Sequence, residues 1–226
     1  MSERGAPLVS VVIPARNAGK SLAAALHSVA QQDYSPIEII VVDDGSTDDT
    51  VAVARAFRPA VRIISQPQSG AGGARNAGVA VARGELLAFL DADDLMVQGA
   101  LGKLAGMLLR SEDLDLVYGE VIEFHETLQG AAVERPPVAA ALPGSTQVRK
   151  CAFDRVGPFR TDLRIGEFID WGARAKELGL KAAILREPVL RRRIHGGNTG
   201  MKQRDARADY AVLVRDALKR RRERST

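Results

Sequence analysis

The sequence predicts an α/β fold, an open and mostly parallel sheet flanked by helices, with a smaller and less regular second half. Three observations predict it. Short β-branched runs alternate with helical patterns through the first half, and the run Ile37–Val42 has no polar residue after Glu38. Polar motifs stand where the strands end: PARNAG after the first, DDGSTDD after the second and DADD after the fourth. A strand without polar positions is covered on both faces, as in parallel sheet. Repeated strand–helix units join by right-handed crossovers, and such sheets bind ligands at the carboxyl ends of their strands.

Val9–Pro14 reads as the first strand and Ser21–Gln31 as a helix whose apolar face carries Leu22, Ala25, Leu26 and Val29. Ile37–Val42 is the second strand. Ser46 to Asp49 is expected to cap a helix over Val51–Phe57, followed by a third strand at Val61–Ser65 and a helix at Gly72–Ala82. Leu86–Leu90, the fourth strand, runs into a cluster of acids, and Met96–Arg110 reads as a helix. The regularity then weakens. Leu114–Glu126 reads as one or two strands, and Leu128–Gly144, rich in Ala and Pro, as a loop or lid. A helix is expected from Thr146, another over Phe168–Leu178, a strand near Lys181–Arg186 and a last helix from about Gln203.

At 226 residues with 46% apolar content, the chain can bury a core. One cysteine, Cys151, cannot form an internal disulfide, and no apolar export segment is recognised at the start, so a cytoplasmic location is expected. The apolar runs fall far short of the ~20 residues a membrane-spanning helix needs. The net charge is +4, with basic residues gathered at Arg191–Arg193 and in KRRRER, Lys219–Arg224. That end reads first as a solvated helix terminus. The alternative is peripheral contact with anionic lipid at the inner face of a membrane, or with polyphosphate. Nucleic acid is excluded as a partner: aromatics are only 4% of the chain, so there is no stacking platform.

Asp91, Asp93 and Asp94 crowd three carboxylates into four positions at a strand end, and mutual repulsion is costly unless a cation offsets it. Hard oxygen ligands suit Mg²⁺ or Mn²⁺, which also bridge nucleotide phosphates. The plainer alternative is that Asp93 or Asp94 caps the following helix. Asp43 and Asp44 end the second strand likewise: one can accept from a base edge or ribose, or both can belong to a capped turn in which Gly45 folds back. Asn17, after Pro14, offers a donor and an acceptor, although Asn before small residues is first a turn former. QPQSGAGGARNAG, Gln66–Gly78, is a glycine-rich loop opening a helix. Its exposed N–H groups with Arg75 favour anionic oxygen. It matches neither GxxxxGK[ST] nor GxGxxG.

Together SVVIPARNAG, IIVVDDGSTDDT, QSGAGGARNAGVAVARGELLAFLDADD and RRRIHGGN resemble, in order and spacing, a family 2 glycosyltransferase of the GT-A fold. The resemblance implies nucleoside contacts from Pro14, Ala15, Asn17 and Asp44, and Arg75 beside nucleobase and phosphates. It places Asp91, Ala92 and Asp93 at ribose and metal, with Asp94 as a helper. It implies Mn²⁺ or Mg²⁺ held by Asp93, Asp91 and His195, with Arg193 at the phosphates. For His195 the alternative is a satisfied structural histidine. The partners implied are a UDP-linked sugar donor and a saccharide, lipid-linked or other hydroxyl acceptor, in polysaccharide or glycoconjugate synthesis. Residues 1–112 would form the donor half, 113–200 the acceptor half and 201–226 a basic helix or tail.

Family members usually carry an Asp after a Glu as general base, but this chain reads GEFIDW with Phe168 in that place. The base therefore falls to Asp170 or Glu167, which share a helix face at i, i+3 spacing, with Asp170 favoured. The alternatives are a helix-dipole partner for Glu167 and an ion pair with Arg174 for Asp170. Trp171 reads as core packing before acceptor wall. The reaction implied is a single inverting displacement at the anomeric carbon. Two rivals remain: a nucleotidyltransferase, which PARNAG fits poorly, and a donor-binding module that has lost catalysis.

Overall fold

The computed structural model describes residues 5–126, 132–195 and 207–223. One ten-stranded sheet organises them. The first half forms β1 (Val9–Ala15), α1 (Leu22–Ala30), β2 (Ile37–Asp44), α2 (Thr50–Ala56), β3 (Arg62–Gln66), α3 (Gly70–Val81) and β4 (Leu86–Phe89). The second half forms β5 (Leu95–Met96), α4 (Ala100–Arg110), β6 (Leu116–Glu126), β7 (Ala132–Glu134), β8 (Val138–Ala139), β9 (Thr146–Arg149), α5 (Lys150–Val156), α6 (Glu167–Glu177), β10 (Ala182–Arg193) and α7 (Arg207–Glu223).

The sheet runs β3-β2-β1-β4-β9-β6-β10-β5, with β7 and β8 paired on β6. The strands β3, β2, β1 and β4 are mutually parallel, as are β6 and β10, whereas β9 lies antiparallel to both β4 and β6. Chain order runs outward from β1 to β3 and then returns to β4 on the other side of β1. The β1/β4 junction is thus the topological switch point, where a doubly wound sheet opens a crevice.

Two apolar cores cover the sheet. On one side α1 buries Leu22, Ala25, Leu26 and Val29, the stripe read from the sequence, and α4 adds Leu101, Leu104 and Leu108. Each such Leu contributes roughly 1.5–3 kcal/mol on burial. On the other side Phe89, Phe153, Phe159, Phe168 and Trp171 form an aromatic cluster beneath α3, α5 and α6. Gly78 lets α3 lie directly on the sheet, because a Cβ there would run into Val12 and Val42.

Several second-half expectations are corrected. Thr146 does not start a helix: Thr146–Arg149 is β9, which fills the gap between β4 and β6, and α5 begins only at Lys150. Tertiary pairing overrides local pattern there. The helix expected from Met96 starts at Ala100, because Leu95 and Met96 pair with Arg191 and Leu190. Leu116–Glu126 is a single strand. Part of the expected loop or lid, residues 128–131, lies outside the described residues. The rest holds β7, β8 and a 3₁₀ turn at Pro143–Ser145. Among the described residues no helix is long and apolar enough to cross a membrane.

Candidate active site

The carboxyl ends of β1, β2 and β4 meet the start of α3, and hydrogen bonds lock their motifs together. Asn17 sits at φ 50, a left-handed conformation that Asn tolerates because its short side chain bonds locally. Its Oδ1 accepts from Thr47 N at 2.8 Å, and its own N–H donates to Ser46 Oγ at 3.0 Å. Ser46 N donates to Asp43 Oδ1 at 3.0 Å. Ser46 therefore braces the turn and does not cap α2; at that helix start Asp48 Oδ1 accepts from Thr50 N at 3.0 Å. Pro14 is half-buried and Ala15 buried as the last residues of β1.

Asp44 holds the glycine-rich loop. Its Oδ1 accepts from Gln66 Nε2 and Ser69 N, both at 2.8 Å, and its Oδ2 from Gly70 N at 2.9 Å. With 4% exposure, it spends its carboxylate on fixing the entry to α3. These bonds carry the turn reading of this motif.

After β4 the chain makes a turn, with Asp94 N donating to Asp91 O at 3.0 Å, and α4 does not start until Ala100. The helix-cap alternative for Asp93 and Asp94 therefore falls. Ala92 is buried, while the side chains of Asp91 and Asp93 are 41% and 33% exposed. Asp94 turns inward, and its Oδ1 accepts from Arg193 N at 2.8 Å. Burial, and then the charges of Asp91 and Asp93, push the Asp94 carboxyl up to about 8. Arg193 Nε also donates to Asp93 O at 3.0 Å. These bonds bring the end of β10 over the acidic turn and place His195 Nε2 3.0 Å from Asp93 Oδ2. Asn198, in the same motif, lies outside the described residues.

Arg75 links the first and second halves of the chain. Its Nη2 stands 2.6 Å from Asp91 Oδ1 and its Nη1 bonds Glu167 Oε1, with the side chain only 3% exposed. Burial alone would weaken the cation, but Asp91 and Glu167 outweigh it and hold the Arg75 pKa above its ordinary value. The neighbouring Asn76 latches the same region: its Nδ2 donates to Phe159 O at 2.8 Å and its Oδ1 accepts from Phe159 N at 2.9 Å. Gly72 admits the close approach of Arg160 O and Glu167.

The two candidate bases separate. Glu167 opens α6 after Gly166, which has φ 86, and reaches the acidic turn through Arg75. Asp170 faces the other way. Its side chain is fully buried, pairs with Arg174 Nε at 2.7 Å, and lies 3.6 Å from Arg220 and 3.9 Å from Arg160. The preference for Asp170 is therefore corrected, because a carboxylate walled in by three guanidinium groups has no path to an acceptor. Phe168 and Trp171 both turn into the aromatic cluster. Trp171 stacks on Phe153 at 5.4 Å and donates to Gly157 O at 3.1 Å, so it is a core residue.

Among the described residues no group of three or more His, Cys, Asp and Glu side chains forms a ready-made metal cage. The donor set nevertheless fits a hard cation that arrives with phosphates: one or two carboxylates suffice when the substrate supplies further oxygens. Asp93, Asp91 and His195 have that chemistry, and the crowding that raises Asp94 marks a place where positive charge is favoured. Gln66, Asn76 and Arg160 were missed as supporting residues. QPQSG and ARNAG signalled the first two, whereas Arg160, besides its local partner Asp162, pairs with Asp216 from a segment 56 positions away that no local spacing reveals.

A parallel-to-mixed sheet with acids and a buried Arg gathered at its switch point defines an α/β protein of the doubly wound kind, whose ligands bind in that crevice. The glycosyl transferase family 2 model matches residues 10–150, and the chain belongs to that family. It is 39% identical over 175 residues to the PGL/p-HBAD biosynthesis glycosyltransferase of Mycobacterium tuberculosis H37Ra, covering 74% of this chain and 68% of that one. It is 35% identical over 148 residues to glycosyltransferase YibD of Escherichia coli K12, covering 62% of this chain and 43% of that protein. The chain thus spans about two fifths of the length of YibD. Among solved structures, S. aureus TarS residues 1–349 in complex with UDP-GlcNAc superposes with a TM-score of 0.70 at 22% identity, covering 86% of this chain and 60% of that one. The same fragment in complex with UDP gives 0.69. The fold is GT-A.

Proposed function

We propose that the protein transfers a sugar from a UDP-linked donor to an acceptor hydroxyl with inversion, in polysaccharide or glycoconjugate synthesis, using Mn²⁺ or Mg²⁺. The observation that carries this reading is the Glu167–Arg75–Asp91 bridge, which sets an acceptor-side carboxylate against the acidic turn. The UDP and UDP-GlcNAc complexes of TarS and the biosynthetic name of the mycobacterial relative support the donor class and the setting.

Pro14, Ala15 and Asn17 line the donor side, while Asp44 shapes it by fixing the loop before α3. Asp91, Asp93 and His195 would hold the cation. When bound it supplies Lewis-acid neutralisation of the departing diphosphate. Arg193 positions the acidic turn through Asp93 O and Asp94 and adds positive charge near the phosphates. Glu167 takes the acceptor proton as the hydroxyl attacks, and Arg75 orients that carboxylate. A second reading, a donor-binding module without turnover, draws on Phe168 packing inward and Asp170 being walled in.

A thermal-shift panel of UDP-, GDP- and dTDP-sugars with Mn²⁺ or with chelator tests the donor, since a ligand that binds only the folded state raises the melting temperature. The expected result is stabilisation by one UDP-sugar in Mn²⁺ that chelator abolishes. Shifts equal with and without chelator would overturn the cation's part. Release of UDP on adding hydroxyl acceptors separates transfer from binding alone.

A further inference from the structure

The two faces of α7 are chemically sorted. Its inner face is fastened to α6 and to the loop before it. Leu213 is 7% exposed and lies against Gly166, and Asp209 Oδ2 accepts from Arg164 N at 2.9 Å and Ile165 N at 3.3 Å. Asp216 pairs with Arg160 at 2.7 Å, and Arg220 with Glu177 at 2.8 Å. Two of the helix's three acids thus turn toward the protein, Asp216 also meeting Arg215 at 3.1 Å, and the third, Glu223 at the helix end, stands 3.9 Å from Lys219.

The outer face carries Tyr210, Val214 and Leu218, exposed by 44, 61 and 50%. At i, i+4 and i+8 they form one ridge along the helix. Exposed Arg215, Lys219, Arg221 and Arg222 flank and extend it. Asp209 and Asp216 turned inward beneath an outward apolar ridge edged by an excess of bases over the single exposed acid, Glu223, match a helix lying in a membrane interface, where apolar side chains enter the acyl boundary and cations meet phosphate headgroups. A second copy is the poorer occupant, because a two-fold contact sets each patch against its own kind and would oppose four bases with four bases.

We infer that the outer face of α7 is a docking surface for an anionic membrane. Its occupant is recognised by negative headgroup charge together with an apolar layer beneath, and the inference stands apart from the donor chemistry proposed above.

The full chain, without donor or acceptor, should co-sediment with vesicles of equal phosphatidylglycerol and phosphatidylcholine and stay in solution with phosphatidylcholine alone. Raising salt should release it. The double variant Lys219→Gln/Arg222→Gln should lower the partition coefficient about 25-fold, at about fivefold per charge. Leu218→Ser should lower it at least about tenfold while its circular dichroism stays native. Equal binding to both vesicle types, or none to either, overturns the inference. So does retention of binding in Leu218→Ser, which would mark a patch for soluble polyanions, or a doubled mass in solution that Leu218→Ser abolishes, which would mark a dimer face.

Discussion

His195 Nε2 stands 3.0 Å from Asp93 Oδ2, although 102 positions separate the two residues in the chain. The end of β10 is brought there by the bonds from Arg193 to Asp94 and to Asp93 O. An imidazole nitrogen and a carboxylate oxygen at that separation can face one cation, since neutral imidazole and carboxylate are both ligands of Mn²⁺-type ions. His195→Ala should therefore raise the Mn²⁺ concentration needed for half-maximal transfer by tenfold or more, with little change in melting temperature because the ring is 40% exposed. An unchanged Mn²⁺ requirement, measured by titration, would confine His195 to a structural role.

The first half was legible and the second half only partly so, for a physical reason. In β1, β2 and β4 the apolar runs are set by burial between two helical layers, and each motif lies within a few residues of the strand it ends. Local pattern and tertiary outcome therefore agree there. In β9, Thr146–Arg149 owes its strand state to the slot between β4 and β6, a context 50 or more residues distant in sequence for β4. The choice between Glu167 and Asp170 was illegible for a similar reason. Both share the spacing of one helix, and only Arg75 on one side and Arg160, Arg174 and Arg220 on the other tell them apart.

Asp170→Ala should destabilise the fold and leave its chemistry largely intact. Removing one partner of a buried ion pair costs about 3–5 kcal/mol, which in a chain of this size lowers the melting temperature by roughly 10 °C. Residual kcat per folded molecule, measured well below that transition, should stay within a few-fold of the parent. A loss of 10²-fold or more in kcat with an unchanged melting temperature would return Asp170 to the role of base.

Glu167→Gln should behave in the opposite way. The amide preserves shape and one hydrogen bond to Arg75, so folding is retained, but it cannot take a proton. A positioned general base contributes typically 10²–10⁴-fold. The expected outcome is a loss of that order in kcat. A raised KM for the donor with unchanged kcat would instead assign Glu167 to orienting Arg75 alone.

Asp94 supplies a pH test that needs no turnover. In the metal-free protein its carboxyl is pushed up to about 8 by burial and by Asp91 and Asp93, against about 3.9 in an unfolded chain. A group whose pKa is raised by folding stabilises fully below the unfolded value, and that stabilisation drains away as pH climbs toward the folded one. The unfolding free energy in chelator, and with it the melting temperature, should therefore fall between about pH 4 and pH 8, the free energy with a limiting slope near 1.4 kcal/mol per unit, and then level off. Asp94→Asn keeps an oxygen for the N–H of Arg193 and removes the titration, so its profile should flatten over that window. Mn²⁺ with UDP should flatten the parent profile in the same way, because positive charge beside Asp91 and Asp93 relieves the repulsion that favours the protonated acid. An equal slope in parent and Asp94→Asn would show that another group governs the decline and that the acidic turn carries no unrelieved charge.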